Sequence, residues 1–395
     1  MHVSAARPLF PFRDEILKDF EVVLDGGRLM YGTFQARFER AFAEYCGVPH
    51  AVSMSSCTAA LETCLRYFDV TGRRVAVPTN TFVSTATAVT YAGGQPVFYD
   101  VGWDNTVDER ALARLLDRRK VAGLVVVHLA GFVHPQIEAL VAMARARGIF
   151  LIEDCAHAAG ARYQDRSAGA FGDAGCFSFY PTKVITTGSG GMITTSDRRL
   201  QQHADSVRLH GRGRDLYDVV RFGNDWFLDE FRCVVGYHQL RAIEDFIGGR
   251  AAAARLYLER LEGTGLTLPE ARAGHRPSWY KFSVRRPGWT AAATDAFMAA
   301  CQERGVETER LYWPLCPLQP VFRRSLGYSQ RDFPESVSAW RSHFTLPIHA
   351  GITAEQVEYV VKCVGDLERA VPLNARSKSK SRRGPGGSEA RRRTS

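Results

Sequence analysis

Between residues 50 and 155 the chain alternates short β-branched apolar runs with longer stretches whose apolar residues recur every three to four positions. AVSM (51–54), RVAVP (74–78), PVFYDV (96–101), AGLVVVHL (122–129) and IFLIED (149–154) have the first texture and predict strands. TAALETCLRYF (58–68), TFVSTATAVTYA (81–92), DERALARLLDRR (108–119) and HPQIEALVAMARARG (134–148) have the second and predict helices. The later strands are largely apolar, as expected of a sheet covered by helices on both faces. Strand and helix in alternation imply βα units, hence an α/β fold with a mostly parallel sheet.

Past residue 170 the texture changes. FGDAGCFSFYPTK and GSGGMITTSD carry small residues, turns and two short strand candidates. RRLQQHADSVRLH (198–210) and the run from 230 to 263 are helical, and the second bridges toward a further unit. A strand is expected at Trp279–Val284 (WYKFSV), with helices near 292–303 and 354–370. A chain of 395 residues is too long for one small core. The expected division is a large domain over 1–250 that includes an N-terminal arm, and a smaller C-terminal α+β domain over 251–375. A tail follows over 376–395.

Charge separates the tail from the rest. Residues 376–395 hold eight Lys/Arg and one Glu, a charge of +7, so the other 375 residues account for only +2 of the total +9. The near-neutral body argues against a nucleic-acid partner, and the tail, almost without apolar residues, is expected to be a disordered, solvated appendage. No apolar run approaches the roughly 18 residues of a membrane span, so no membrane partner is expected. The start of the chain lacks a basic region followed by an apolar stretch, so a cytoplasmic location is expected. Nine cysteines are scattered without a CxxC pair, so reduced buried thiols are expected, with neither disulfides nor a metal site.

Two residues suggest chemistry. Asp154 closes the strand IFLIED, and in open α/β sheets ligands bind just beyond the carboxyl ends of the strands. Lys183 lies 29 residues later in SFYPTK, between turn residues and GSGG. Chemistry based on pyridoxal 5'-phosphate (PLP) uses such a pair: a lysine amine forms the Schiff base, and a carboxylate keeps the pyridine nitrogen protonated. Singly, each residue type is more often a solvated or capping group. SSCTAAL (55–61) passes from strand to helix, where free N–H groups suit a phosphate, although a plain N-cap explains the same residues.

The run LIEDCAHAAGARYQDRSAGAFGDAGCFSFYPTKVITTGSGGMITT resembles the signature of the DegT/DnrJ/EryC1/StrS sugar aminotransferases. Four other blocks agree in order: RLMYGTFQARFERAFAEYCGVPHAVSMSSCTAAL, VAVPTNTFVSTATAVTYAGGQPVFYDV, GNDWFLDEFRCVVGYHQL and FTLPIHAGITAEQVEYV. Together they span about residues 8–370. The resemblance implies a fold-type-I PLP transferase with a seven-stranded, mostly parallel sheet. It implies Lys183 as the Schiff-base lysine and proton carrier, and Asp154 as partner of the pyridine nitrogen. His157 would bond the cofactor hydroxyl, with a satisfied structural histidine as the alternative, and Phe82 would stack on the ring. Ser178 and the backbone N–H groups of Cys57 and Thr58 would take the phosphate. Asn224 would reach the phosphate in the neighbouring subunit, implying a homodimer with shared active sites.

Four positions depart from the family pattern: Cys57 replaces a common Gly, Ser189 a common Glu, Ala130 a common Tyr, and Cys316 the His of a PLH triplet. The activity implied is transfer of an amino group from L-glutamate or L-glutamine to a nucleotide-linked 3- or 4-keto-deoxysugar, serving antibiotic or glycan assembly. The alternatives are an inosose-type cyclitol ketone as acceptor, other PLP chemistry, or a non-catalytic PLP-binding role.

Overall fold

Seven strands form the central sheet: β1 (His50–Met54), β2 (Arg74–Pro78), β3 (Gln95–Tyr99), β4 (Val121–Val127), β5 (Phe150–Asp154), β6 (Ala174–Ser178) and β7 (Gly191–Thr195). Their order is β1-β7-β6-β5-β4-β2-β3. Only β7 runs antiparallel to its neighbours, β1 and β6, so the other six strands point the same way. The computed structural model describes residues 1–213, 215 and 217–370; the basic tail over 376–395 lies outside the described residues.

Side-chain alternation divides the sheet between two cores. Ala76, Leu124, Val126, Leu151, Phe177 and Met192 face one side, packed with Phe38, Phe42 and Phe179. Val75, Val77, Val125, Ile152, Cys176 and Ile193 face the other. On the first side lie α1 (Arg13–Gly26) and α2 (Thr33–Cys46); on the second, α3 (Cys57–Tyr67) and α4 (Val83–Tyr91). The crossovers continue through α5 (Glu109–Arg119), α6 (Ile137–Ala146) and α7 (Arg198–Val207). Asp108 and Asp197 cap α5 and α7 by accepting a backbone N–H.

The helical run from 230 to 263 divides at Ala242 into α8 (Glu230–Arg241) and α9 (Ile243–Leu261). Glu230, at the start of α8, is buried and accepts the N–H groups of Gly32, Phe34 and Gln35 at 3.1, 2.8 and 2.9 Å. It thus caps α2 from a distance and ties the N-terminal helices to the site-bearing sheet.

A third core gathers α9, α10 (Ala291–Glu303) and a two-stranded sheet of β8 (Phe282–Arg285) and β9 (His343–Leu346), together with Val357, Val360 and Val364 from the helix Ala354–Ala370. Val3, fully buried, belongs to it, and bridges Val306 in parallel. Residues Leu311, Leu315, Phe322 and Trp340 pack instead on the α3–α4 side of the large sheet. The strand expected at Trp279–Val284 starts later, at Phe282. Trp279 is left-handed (φ 51°), and Ser278 and Lys281 donate their N–H groups to Gly131 and Ala130 in the loop after β4. The chain there serves the loop before it joins a ladder.

Glu153 and His128, both fully buried, sit at the carboxyl ends of β5 and β4, 2.7 Å apart. Glu153 also accepts the N–H groups of Gly169, Phe171 and Gly172 at 2.8, 2.6 and 2.6 Å. With Cys155 these residues form a compact His/Glu/Cys group, but the carboxylate oxygens are already occupied by those donors. Glu153→Ala would leave three buried donors and a histidine without their acceptor. An expected loss of about 3–5 kcal/mol in urea denaturation follows; a loss under about 1 kcal/mol would show that the turn holds itself.

Candidate active site

The parallel strands deliver their carboxyl ends to one edge, and a cavity of about 1230 Å³ opens there. Register fixes who meets whom: Val127 pairs with Asp154, Asp154 with Cys176, and Ser178 with Gly191. Lys183, Asp154, His157, Ser178, Cys57, Thr58 and Phe82 all line this cavity. Asn224 does not; it lies exposed on the segment that precedes α8.

Asp154 is 4% exposed. Its Oδ2 accepts the Thr85 hydroxyl at 2.6 Å and its Oδ1 the Ala156 N–H at 3.1 Å. Burial raises the carboxyl above its ordinary range, against the pull of the Thr85 and Ala156 bonds and the Lys183 charge. A cationic partner at this carboxylate would therefore be strongly favoured. Thr85 is itself placed by Thr81, one turn earlier in the chain, at 2.6 Å.

Lys183 sits in the turn after β6, not on a helix face. No carboxylate pairs with it among the described residues, and its Nζ lies 4.6 Å above the Tyr280 ring. Burial would raise the Tyr280 phenol, but the charges of Lys183 and Lys281 and the Thr182 bond outweigh it and bring it below its usual range. Beside them Lys281 pairs with Glu309.

At the start of α3 the plain N-cap reading of SSCTAAL holds. Ser56 is the N-cap and accepts the Ala59 N–H at 3.1 Å. That leaves the N–H groups of Cys57 and Thr58 without intrahelical acceptors, at the cavity wall beside Ser178. Gly191 permits this arrangement, since a Cβ there would stand 2.4 Å from the Ser56 carbonyl carbon and 2.6 Å from the Cys57 nitrogen. Phe82, the residue before α4, presents an aromatic ring to the cavity that is 59% exposed.

These features fit PLP. An uncovered aromatic face, free helix N–H groups, a buried carboxylate and an unpaired lysine surround one space. Cys316, where the family pattern has His, is buried, and burial pushes its thiol up to about 12, so it stays an unreactive thiol near neutral pH. All nine cysteines are buried and free.

Thr85, Tyr280 and Tyr312 also shape the site, and the sequence pattern did not single them out. Thr85 carried one signal, a polar i, i+4 pair with Thr81 facing a helix otherwise rich in apolar residues. Tyr280 and Tyr312 arrive from distant segments and had none.

The mixed α/β fold with its seven-stranded, mainly parallel sheet is that of the fold-type-I PLP-dependent aminotransferases. More narrowly, the chain belongs to the DegT/DnrJ/EryC1/StrS aminotransferase family, whose sequence profile it matches over residues 12–365. It is 34% identical over 313 residues to the UDP-N-acetyl-3-dehydro-α-D-glucosamine 3-aminotransferase of Acidithiobacillus ferrooxidans, covering 77% of this chain and 81% of that one. It is 30% identical over 343 residues to the GDP-perosamine synthase of Caulobacter vibrioides, covering 85% and 90%. The solved structure of DesV from S. venezuelae superposes with a TM-score of 0.84 at 31% identity, covering 91% of this chain and 96% of DesV. The protein is accordingly a PLP-dependent aminotransferase.

Thr85→Val keeps the side-chain shape and removes the hydroxyl that Asp154 accepts. A loss of about 1.5–3 kcal/mol in urea denaturation is expected; a change below about 0.5 kcal/mol would mean that Asp154 finds another donor.

Proposed function

We propose that the chain moves an amino group from L-glutamate or L-glutamine to a nucleotide-linked 3- or 4-keto-deoxysugar. One observation carries this reading: a single cavity holds the lysine, the carboxylate and the uncovered ring, and its 1230 Å³ exceeds the roughly 300–1,000 Å³ of ordinary small-molecule sites. Cofactor and a large acceptor can share it. Two relatives carry nucleotide-linked sugars in their names, which supports the acceptor class.

In this reading residues 1–250 form the cofactor domain and 251–375 the smaller one. Bound PLP supplies an electron sink for the carbanion at the donor's α-carbon. Lys183 would hold the cofactor and would take the proton from that carbon. The Tyr280 ring beneath Nζ keeps the amine over the site. Asp154 favours a protonated pyridine nitrogen by charge. The Cys57 and Thr58 N–H groups, with Ser178, hold the phosphate at the helix start, and Phe82 covers the ring face. His157 supports the side of the cofactor that carries the hydroxyl.

Asn224 belongs in this scheme only through a second subunit. It follows a segment whose large apolar residues are turned to solvent, with Tyr217 95% and Phe222 93% exposed and Val219 and Val220 beside them. Leu17, Val22 and Leu24 on α1 are exposed as well. So much apolar surface favours an interface, and we assign it to a homodimer in which Asn224 enters the partner's site.

Absorbance tests the donor half-reaction. The loaded protein is expected to be yellow and to bleach on adding L-glutamate or L-glutamine. Lys183→Ala should lose both the band and turnover while staying folded, and Asp154→Asn should keep the band yet turn over at least a hundredfold more slowly, about 2.7 kcal/mol of barrier. Full activity in either variant would sink its assignment. A screen of keto-sugar nucleotides and inososes then decides the acceptor; amination of inososes alone would replace the nucleotide-sugar reading. Phe222→Asp should shift the mass in sedimentation from dimer to monomer, and an unchanged dimer would place the interface elsewhere.

A further inference from the structure

An aminotransferase binds two unlike substrates in one place. An amino-acid donor carries a carboxylate on the carbon that reacts, and a sugar or cyclitol ketone carries none there. Inside a cavity that already holds Asp154, that carboxylate is costly to bury unless a cation meets it. Four Lys and Arg side chains line the cavity: Lys183, Lys281, Arg310 and Arg324. Lys183 is committed to the cofactor. Arg310 spends its guanidinium on the chain, donating to Asp295 at 2.7 Å and to the carbonyls of Ala291 and Arg341 at 2.7 and 2.9 Å. Arg324 is exposed on the helix Pro320–Leu326, where solvent screens an ion pair to little effect. Lys281 remains, buried in the wall.

Its placement is rigid. Lys281 donates its N–H to the Ala130 carbonyl at 3.2 Å, one residue before β8 begins. The buried Arg250 donates to the carbonyls of Trp279, Tyr280 and Ile348 at 3.3, 3.2 and 3.0 Å, which fixes the same stretch of backbone. The Lys281 Nζ stands 5.2 Å from the centre of the Tyr280 ring, and the Lys183 Nζ stands 4.6 Å from it. Both ammonium groups thus lie against one ring, so a group bonded to Lys281 is close to the carbon that Lys183 would deprotonate.

The partner of Lys281 is held less firmly. Glu309 accepts from Lys281, lines the same cavity and has a side chain 43% exposed. No other donor engages its carboxylate among the described residues. Its backbone is pinned to β9, where its carbonyl accepts the Thr345 N–H at 2.8 Å. The side chain alone can therefore swing to solvent and return.

We propose that the Lys281 ammonium binds the α-carboxylate of the amino donor, and that Glu309 is its exchangeable counter-ion. Glu309 gives up Lys281 when the donor enters and takes it back when the uncharged acceptor carbon occupies the site, so the buried cation is paired in both halves of the cycle. This rests on the aminotransferase reading above, and within it only on the donor being an α-amino acid.

The test is calorimetric binding of 2-methyl-L-glutamate to the PLP-loaded protein. Its α-carbon has no proton to lose, so affinity is read apart from turnover. Lys281→Met is expected to weaken binding about thirtyfold. Against the same compound with its α-carboxyl group as an amide, wild type and Lys281→Met should agree within about threefold, which general damage to the site would not produce. Glu309→Gln removes the competing anion and should tighten binding of the carboxylate about fivefold; this variant decides the matter if Lys281→Met fails to fold. Bleaching of the wild type by L-glutamate or L-glutamine judges the donor reading separately. Should a different L-amino acid bleach it, the 2-methyl analogue of that acid is used and the same ratios are expected. Equal affinity in Lys281→Met and wild type, or weaker binding in Glu309→Gln, would overturn the proposal.

Discussion

Two adjacent carboxylates at the end of β5 point to opposite faces of the sheet, and the rest of the site depends on their different treatment. Glu153 is satisfied by three N–H groups and His128, and so locks β5 to β4 and to the turn before β6. Asp154 is given only a hydroxyl and one N–H, and remains short of positive charge in a buried place. Period-two alternation makes this division possible: one residue can be structural because its neighbour faces elsewhere. A buried carboxylate left partly unsatisfied is costly, and the fully bonded residue beside it provides the rigidity that keeps the cost from being relaxed away.

The Lys183 side of the cavity is built on a reversal of strand direction. β7 is the one antiparallel strand of the seven, and it passes between β1 and β6 so that its first residue, Gly191, meets both Met54 and Ser178. The turn carrying Lys183 and the start of α3 are thereby brought to the same edge. A side chain at 191 would displace the helix start, so the absence of one is a spatial requirement there.

Much of this was legible along the chain because it is local. The strands from β1 to β5 announced themselves by short, largely apolar runs rich in β-branched residues, and their helices by a 3.6-residue period. Asp154 and Lys183 stood out because a strand end and a glycine-rich turn are unusual settings for charge. What was not legible depends on distance. The WYKFSV segment has the alternation of a strand, yet its first residues bond the loop after β4, and this tertiary demand overrides the local pattern. Tyr312 meets His157 across 155 residues of sequence. No periodicity carries information over such a span, and the pairing emerges only when the segment around Leu311 and Leu315 packs on the α3–α4 side of the sheet.

The burial of Val3 in the third core bears on how the molecule is made. Its neighbours there include Val306, Phe344 and Val364. During synthesis Val3 leaves the ribosome about 300 residues before Val306 and about 360 before Val364. At roughly 5–20 residues per second the wait is about 20–70 s. For that time the large sheet can assemble alone, while the opening residues stay outside any finished core. The stretch Gly305–Glu307 therefore acts as a clasp that closes over residues made about 300 positions earlier.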